Sequence, residues 1–403
     1  MHHLTRQLTR WAVLLSTLAV AAGCVPPGPP ASIRFSGEAP DLPGLLDVPD
    51  QLPEGPPGSI VAREALPPNP DLPGVSAERI LYLSTTPAGD PIAVSGYVVV
   101  PAGTAPPGGW PVLSWGHGTI GLSDACALSR TPEDRLYGVD SYDNAAALIG
   151  AGVMVVASDY PGLGTDGPHP YLDGATSGRA MLDAARAAEH FGGSRDVVLE
   201  GFSQGGHATL FAGSLAPSYA PELNVKGVLA VAPGSLAGLA SSFLPLLGLS
   251  SPYSSLLTYG RLVADPKLNA GDLLNPSGIA KLNQLDDTVC SDPYLERSDY
   301  RADVIQLPDW AASFARNEPG SYRIAAPVLL VQGTEDTSVP RIATELLCAN
   351  YGGNSTKATL WTYPGAGHVA SVEVSRVERE AWIAWRLGLA DSAPTPSASA
   401  RRC

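Results

Sequence analysis

From residue 80 onward the chain alternates short apolar runs with longer stretches of helical periodicity. Residues 80–83 and 92–100 flank the turn Pro87-Ala88-Gly89-Asp90, a pattern that predicts an antiparallel hairpin. Residues 111–115, 153–157, 197–199, 228–231, 328–331 and 358–361 are continuous apolar runs, as expected of strands buried on both faces of a parallel sheet. Helical patterns occupy 142–150, 175–191, 207–215, 342–350 and 372–387. Strand alternating with helix predicts an α/β fold built on a mostly parallel, doubly wound sheet.

The rhythm fails in three places. Residues 25–75 are rich in Pro, Gly and Asp without an apolar period and read as an extended tether and N-terminal arm. The interval between Val231 and Val328 is far longer than an ordinary crossover, so 235–320 reads as an inserted, mainly helical cap. Its first part, 236–249, is apolar and poorly charged, and fits a lid and ordinary cap core equally. Residues 391–403 have the composition of a disordered tail. The sheet-bearing core is then expected in two parts, 76–234 and 321–390, behind an export signal at 1–24.

That signal follows from order of charge and apolarity. Arg6 and Arg10 precede an apolar run over 11–22, the length of a signal-peptide core and short for a membrane span. It ends in Ala21-Ala22-Gly23-Cys24, which resembles the lipobox of bacterial lipoproteins except that Ala21 stands where leucine is commonest. The resemblance implies an acylated Cys24 that anchors the mature chain to a membrane surface, with ordinary cleavage and release as the alternative. Net charge is −14, lysines are confined to positions 226, 267, 281 and 357, and no basic stripe exists, which excludes a nucleic-acid partner. The four remaining cysteines, Cys126, Cys290, Cys348 and Cys403, suit an oxidising compartment and allow three pairings. None lies in a C-x-x-C arrangement, so no metal or other cofactor is implied. The tripeptide Asn354-Ser355-Thr356 has the form of a glycosylation acceptor but carries little meaning in a bacterial lipoprotein.

The chemistry centres on Gly201-Phe202-Ser203-Gln204-Gly205-Gly206, which follows an apolar strand and precedes a helix. A strand reversing into a helix within a few residues leaves its middle residue strained and projecting, which makes Ser203 the candidate nucleophile. A plain helix N-cap is the competing reading. A serine hydroxyl needs an imidazole to take its proton and a carboxylate to orient that imidazole. Asp336, in Gln332-Gly333-Thr334-Glu335-Asp336-Thr337-Ser338, and His368, after Pro364-Gly365-Ala366-Gly367, both follow strands where α/β sheets place their sites. The chain order Ser203, Asp336, His368 is that of the hydrolase fold, with Glu335 competing for the acid. In Gly116-His117-Gly118-Thr119 the amide of Thr119, with Gly118 as competitor, joins that of Gln204 as a candidate oxyanion hole, leaving the His117 ring structural. His169 lies in a Gly- and Pro-rich loop over 159–172, where a rigid wall is the simpler reading and an alternative base the bolder one. His190 and His207 read as helix residues.

Taken together, S-W-G-H-G-T with Cys126 nearby, D-Y-P-G-L-G-T-D-G-P-H-P-Y-L at 159–172, G-F-S-Q-G-G, Q-G-T-E-D-T-S-V-P and G-A-G-H resemble the secretory lipase family, the lipase A-like α/β-hydrolases, over about 60–388. The resemblance implies an α/β-hydrolase fold with a lid-bearing cap and a serine carboxylic-ester hydrolase acting on acylglycerols or simpler esters. It carries the nucleophile to Ser203, the acid to Asp336 and the base to His368. It also implies disulfides, with Cys126–Cys290 and Cys348–Cys403 as the preferred pairing. A serine peptidase or acyltransferase on the same triad is the alternative enzyme, and a surface protein with a vestigial triad the alternative outside catalysis. For the anchor, Cys24→Ser is expected to move the protein from the membrane to the soluble fraction of expressing cells. Retention at the membrane contradicts acylation at that residue.

Overall fold

The computed structural model describes residues 33, 41–42, 44–130, 145–235, 253–285, 287–290, 294–301 and 307–403. The export signal, Cys24 and the apolar segment 236–249 lie outside the described residues. Among the described residues ten strands form one sheet: β1 Ile60–Ala65, β2 Ser76–Thr85, β3 Pro91–Val100, β4 Trp110–Gly116, β5 Met154–Ser158, β6 Gly193–Phe202, β7 Asn224–Val231, β8 Val328–Gly333, β9 Ala358–Tyr363 and β10 Ser399–Arg402. Their spatial order is β1-β2-β3-β5-β4-β6-β7-β8-β9-β10. From β5 to β9 neighbours run parallel, while β1, β2, β3 and β10 pair antiparallel at the margins.

Helices cover both faces, because the central strands are apolar on both. Helices α1 Ala146–Gly150, α2 Gly174–Ala187 and α3 Gln204–Tyr219 lie in the first half of the chain. The interval between β7 and β8 contributes α4 Tyr253–Ala264, α5 Ala270–Leu273, α6 Pro276–Leu282 and α7 Pro308–Arg316. Helices α8 Arg341–Gly353 and α9 Ala370–Arg386 complete the second half. One core cluster joins α2, α3 and α8 to the sheet through Met181, Leu182, Leu210 and Leu347, all buried. The other joins α1 and α9 through Ile149, Trp382 and Ile383. Alternate residues of β6 feed the two clusters, Val197 and Leu199 the first and Val198 the second. Buried Leu and Ile side chains of this kind contribute about 1.5–3 kcal/mol each.

A charged pair ties α9 to the strand that leads into the Ser203 turn. Arg379, 3% exposed, meets Glu200 of β6, and its remaining N–H groups donate to Ser375 Oγ at 2.9 Å and to the Val372 carbonyl at 3.1 Å. A buried pair with such additional hydrogen bonds is costly to break from one side, on the order of 3–5 kcal/mol.

The interval between β7 and β8 builds its own apolar cluster from Leu256, Leu257, Leu262, Leu282, Leu295 and Trp310, packed onto Leu122, Tyr171 and Leu172 of the core. Two polar ties fix it there. The Arg261 guanidinium on α4, 1% exposed, faces Asp173 Oδ1 at 3.5 Å. His207 on α3 donates its Nε2–H to the Asn317 carbonyl at 2.8 Å.

Two boundaries differ from the sequence reading. Part of the expected tether is sheet: β1 pairs antiparallel with β2, Ile60 opposite Tyr82. The expected disordered tail is also ordered, because β10 pairs with β9 and Cys403 is bonded to Cys348. Both are edge strands; the apolar start of β1 is only half-buried, and β10 is exposed along its whole length. Such strands need little apolar sequence, so composition gives no warning of them.

Candidate active site

Strand β6 ends at Phe202 and α3 begins at Gln204, leaving Ser203 alone at φ 53°, ψ −111°. This is a costly conformation for a residue with a side chain, on the order of 1–3 kcal/mol, and persists only where surroundings fix it. The Ser203 N–H donates to the Val231 carbonyl at 2.9 Å, and its own carbonyl accepts from His207 and Gly234. Glycines permit the approach. A β-carbon on Gly201 would lie 2.2 Å from the Gly205 carbonyl oxygen, and one on Gly205 would lie 1.9 Å from that of Gly116. The start of α3 therefore rests directly on the backbone of the Gly116-His117-Gly118 turn.

Ser203 makes no side-chain cap to α3. Its Oγ is instead 2.9 Å from His368 Nε2, while His368 Nδ1 is 2.7 Å from Asp336 Oδ2. With Nδ1–H donating to the carboxylate, Nε2 presents its lone pair to the serine hydroxyl. Asp336 is held by the Ser338 and Val339 amides at 2.9 and 2.8 Å and by Gln332 Nε2 at 2.9 Å. Gln332 is in turn oriented by the Thr344 hydroxyl, 2.6 Å from its Oε1. Glu335 points to solvent, so Asp336 is the carboxylate that reaches His368. Sequence reading missed Gln332, although its place at the end of β8 puts it beside the loop that carries the acid. Tyr171, Leu172, Gln204, Gly234, Tyr253, Ser338 and Val339 surround Ser203 and His368 in one cleft.

His117, His169 and His207 are engaged elsewhere. The His117 ring faces the carbonyls of Gly118 at 2.7 Å and Asp159 at 3.3 Å. His169 contacts the Pro161 carbonyl and the Gln204 side chain, not Ser203. Burial lowers both His169 and His207 to about 4, so both rings are neutral at neutral pH. Thr119 is joined to the cleft through its hydroxyl, 2.7 Å from the Tyr171 hydroxyl. Cys126 is bonded to Cys290, which staples the segment after Thr119 to the insertion, and Cys348 to Cys403. Among the described residues no three His, Cys, Asp or Glu side chains are grouped to hold a metal ion. Among the same residues no helix is long and apolar enough to cross a membrane.

Comparison with known proteins places this geometry. Residues 140–242, which include the Ser203 turn, match the family model described as Secretory lipase. Lipase A of Moesziomyces aphidis is 36% identical over 118 residues, 26% of this chain and 25% of the relative's length. A Mycobacterium tuberculosis protein described as a probable inactive lipase is 25% identical over 340 residues, 78% of this chain and 74% of its own. The crystal structure of Candida antarctica lipase A in its closed state superposes with a TM-score of 0.67 at 21% identity, over 85% of this chain and 86% of that one. The chain has the α/β-hydrolase fold of lipases, and across residues 140–242 it is similar to the secretory lipase family. The matched segment spans a quarter of the first relative's length.

One carboxylate near the cleft wall is strongly perturbed. Asp124, 2% exposed, accepts from the Gly164 amide at 2.6 Å. Burial, reinforced by the charge of Asp287, raises it to about 7. Because the folded pKa lies above the unfolded one, the folded state keeps a proton that the unfolded chain has lost between about 4 and 7. The contribution to stability is therefore full at low pH and lost as pH rises through 7. Asp124→Asn, which retains an acceptor for Gly164, is expected to gain on the wild type by roughly 2–4 kcal/mol in urea unfolding between pH 5 and pH 8. A difference that does not change with pH contradicts this.

Proposed function

We propose that the protein is a serine carboxylic-ester hydrolase. The observation that carries this reading is the continuous line from Ser203 Oγ through His368 to Asp336, at 2.9 and 2.7 Å. In the first step His368 Nε2 takes the Ser203 proton as Oγ attacks the ester carbonyl, and the Asp336 carboxylate stabilises the imidazolium. The amides of Gln204 and Thr119 receive the developing oxyanion, the first aided by its place at the start of α3. The imidazolium then gives its proton to the leaving alkoxide, and the alcohol departs from an acyl-Ser203 intermediate. In the second step water, deprotonated by the same ring, attacks that acyl group, and the imidazolium returns the proton to Ser203 Oγ as its bond to the acyl carbon breaks and the acid leaves.

The insertion acts as a cap over this cleft, and Tyr253 at the start of α4 contributes to its wall. Acyl-chain length and alcohol preference are set there. Export, with an anchor on Cys24, brings the enzyme to the cell envelope or beyond. A second reading, a surface protein without activity, is favoured by the likeness to a probable inactive lipase.

The two readings part in a single assay. With p-nitrophenyl esters from acetate to palmitate, the wild type is expected to hydrolyse at least one chain length. Ser203→Ala should lower kcat by about 10⁴-fold or more and Asp336→Asn by about 10³–10⁴-fold. Full activity in Ser203→Ala removes the proposed nucleophile, and a folded wild type inert toward every ester favours the second reading.

A further inference from the structure

The loop over 159–172 is built more rigidly than a cavity wall needs to be. Tyr160 and Leu172, near its two ends, hold positive φ of 69° and 54° although neither is glycine. Asp159 anchors it: its carboxylate accepts from the Ser129 amide at 2.9 Å, the Ser95 hydroxyl at 2.7 Å and the Ser129 hydroxyl. Strain of this kind survives only where such bonds over-determine the backbone, and it concentrates at functional sites.

Its side chains reach both halves of the proposed oxyanion hole. The Tyr160 hydroxyl donates to the His117 carbonyl at 3.1 Å, and the Tyr171 hydroxyl shares a hydrogen bond with Thr119 Oγ1 at 2.7 Å. His169, fully buried, holds the other half. Its Nδ1 is 2.9 Å from the Pro161 carbonyl, which can only accept, so Nδ1 carries the hydrogen. Nε2 of the neutral ring is then an acceptor, and Gln204 Nε2 donates to it at 2.9 Å. The opposite orientation of the Gln204 amide would set its oxygen against that lone pair. Gln204 is thereby fixed with Oε1 buried and, among the described residues, without a hydrogen-bond partner. The rings of His117, Tyr160, His169 and Tyr171 follow one another at centroid distances of 4.5, 6.2 and 6.2 Å.

We propose that His169 is a positioning residue for ester hydrolysis: through the Gln204 side chain it fixes the residue whose backbone amide receives the oxyanion, while Tyr160 and Tyr171 of the same loop fix the opposing turn. This rests on the reading of Ser203, Gln204 and Thr119 given above. An oxyanion hole stabilises only when its donors already stand where charge develops, and small displacements are costly. His169 takes no proton from Ser203 and touches no substrate. Its part is to set the first residue of α3 in register with the Gly116–Thr119 turn.

The test measures kcat and KM for p-nitrophenyl butyrate in His169→Phe, His169→Gln, Gln204→Met and the double variant His169→Phe/Gln204→Met, beside Ser203→Ala. His169→Phe keeps a ring and loses the acceptor, so kcat is expected to fall about 10- to 100-fold with KM within about twofold. His169→Gln, which restores an acceptor, should recover part of that loss. Gln204→Met keeps its backbone amide yet should show a similar fall, and adding His169→Phe to it should cost little more, since the link is already cut. If either folded single variant keeps wild-type kcat, or if the two losses multiply, the proposal is overturned. Should His169→Phe not fold, Gln204→Met reads the same link from the other end. Activity retained in Ser203→Ala would instead strike the functional reading itself.

Discussion

Everything in the site depends on one close approach, the N-terminus of α3 against the backbone that follows β4. Gly205 lies on the Gly116 carbonyl at a separation that no side chain permits, and Gly201 meets the Gly205 carbonyl in the same way. The chain can then turn from strand to helix through a single strained residue. That residue is Ser203, and its positive φ lifts the hydroxyl out of both elements. The strain is held by β7 below and by the Glu200–Arg379 pair three residues earlier, so the serine stands on a rigid base.

The rest of the constellation uses the same logic with weaker forces. Asp336 is oriented by two backbone amides and by Gln332, and His368 by Asp336. Oδ1 of Asp336 takes the two amides and Oδ2 takes Gln332 and His368, which fixes the imidazole tautomer. The opposing wall relies on the 159–172 loop, where the buried His169 accepts a hydrogen bond from the Gln204 side chain. Burial disfavours the charged form of His169, so its ring is unsuited to carry a proton at neutral pH.

What could be read from sequence follows the range of the forces concerned. Hairpin β2–β3 and the buried parallel strands follow from local apolar patterning, and the Ser203 turn from a spacing of glycines with a direct steric cause. Asp336 and His368 were legible because loops after parallel strands open on one edge of the sheet. Strands β1 and β10 were not, because β1 offers only a three-residue, half-buried apolar start within a Pro-rich stretch and β10 is exposed throughout. The His169–Gln204 bond was also hidden: it joins buried groups 35 positions apart, and nothing local in either segment signals the other. His169 in isolation reads as a wall residue or a base, and only its contacts with Pro161 and Gln204 support the positioning role proposed for it.

The central claim is that Ser203 is a nucleophile activated by His368. Incubation of the intact protein with a fluorophosphonate, followed by mass mapping of its peptides, tests this most directly. The account predicts a single phosphonyl adduct, on Ser203, forming far more slowly in His368→Ala. A folded protein that stays unmodified, or an adduct on another residue with Ser203 untouched, contradicts it.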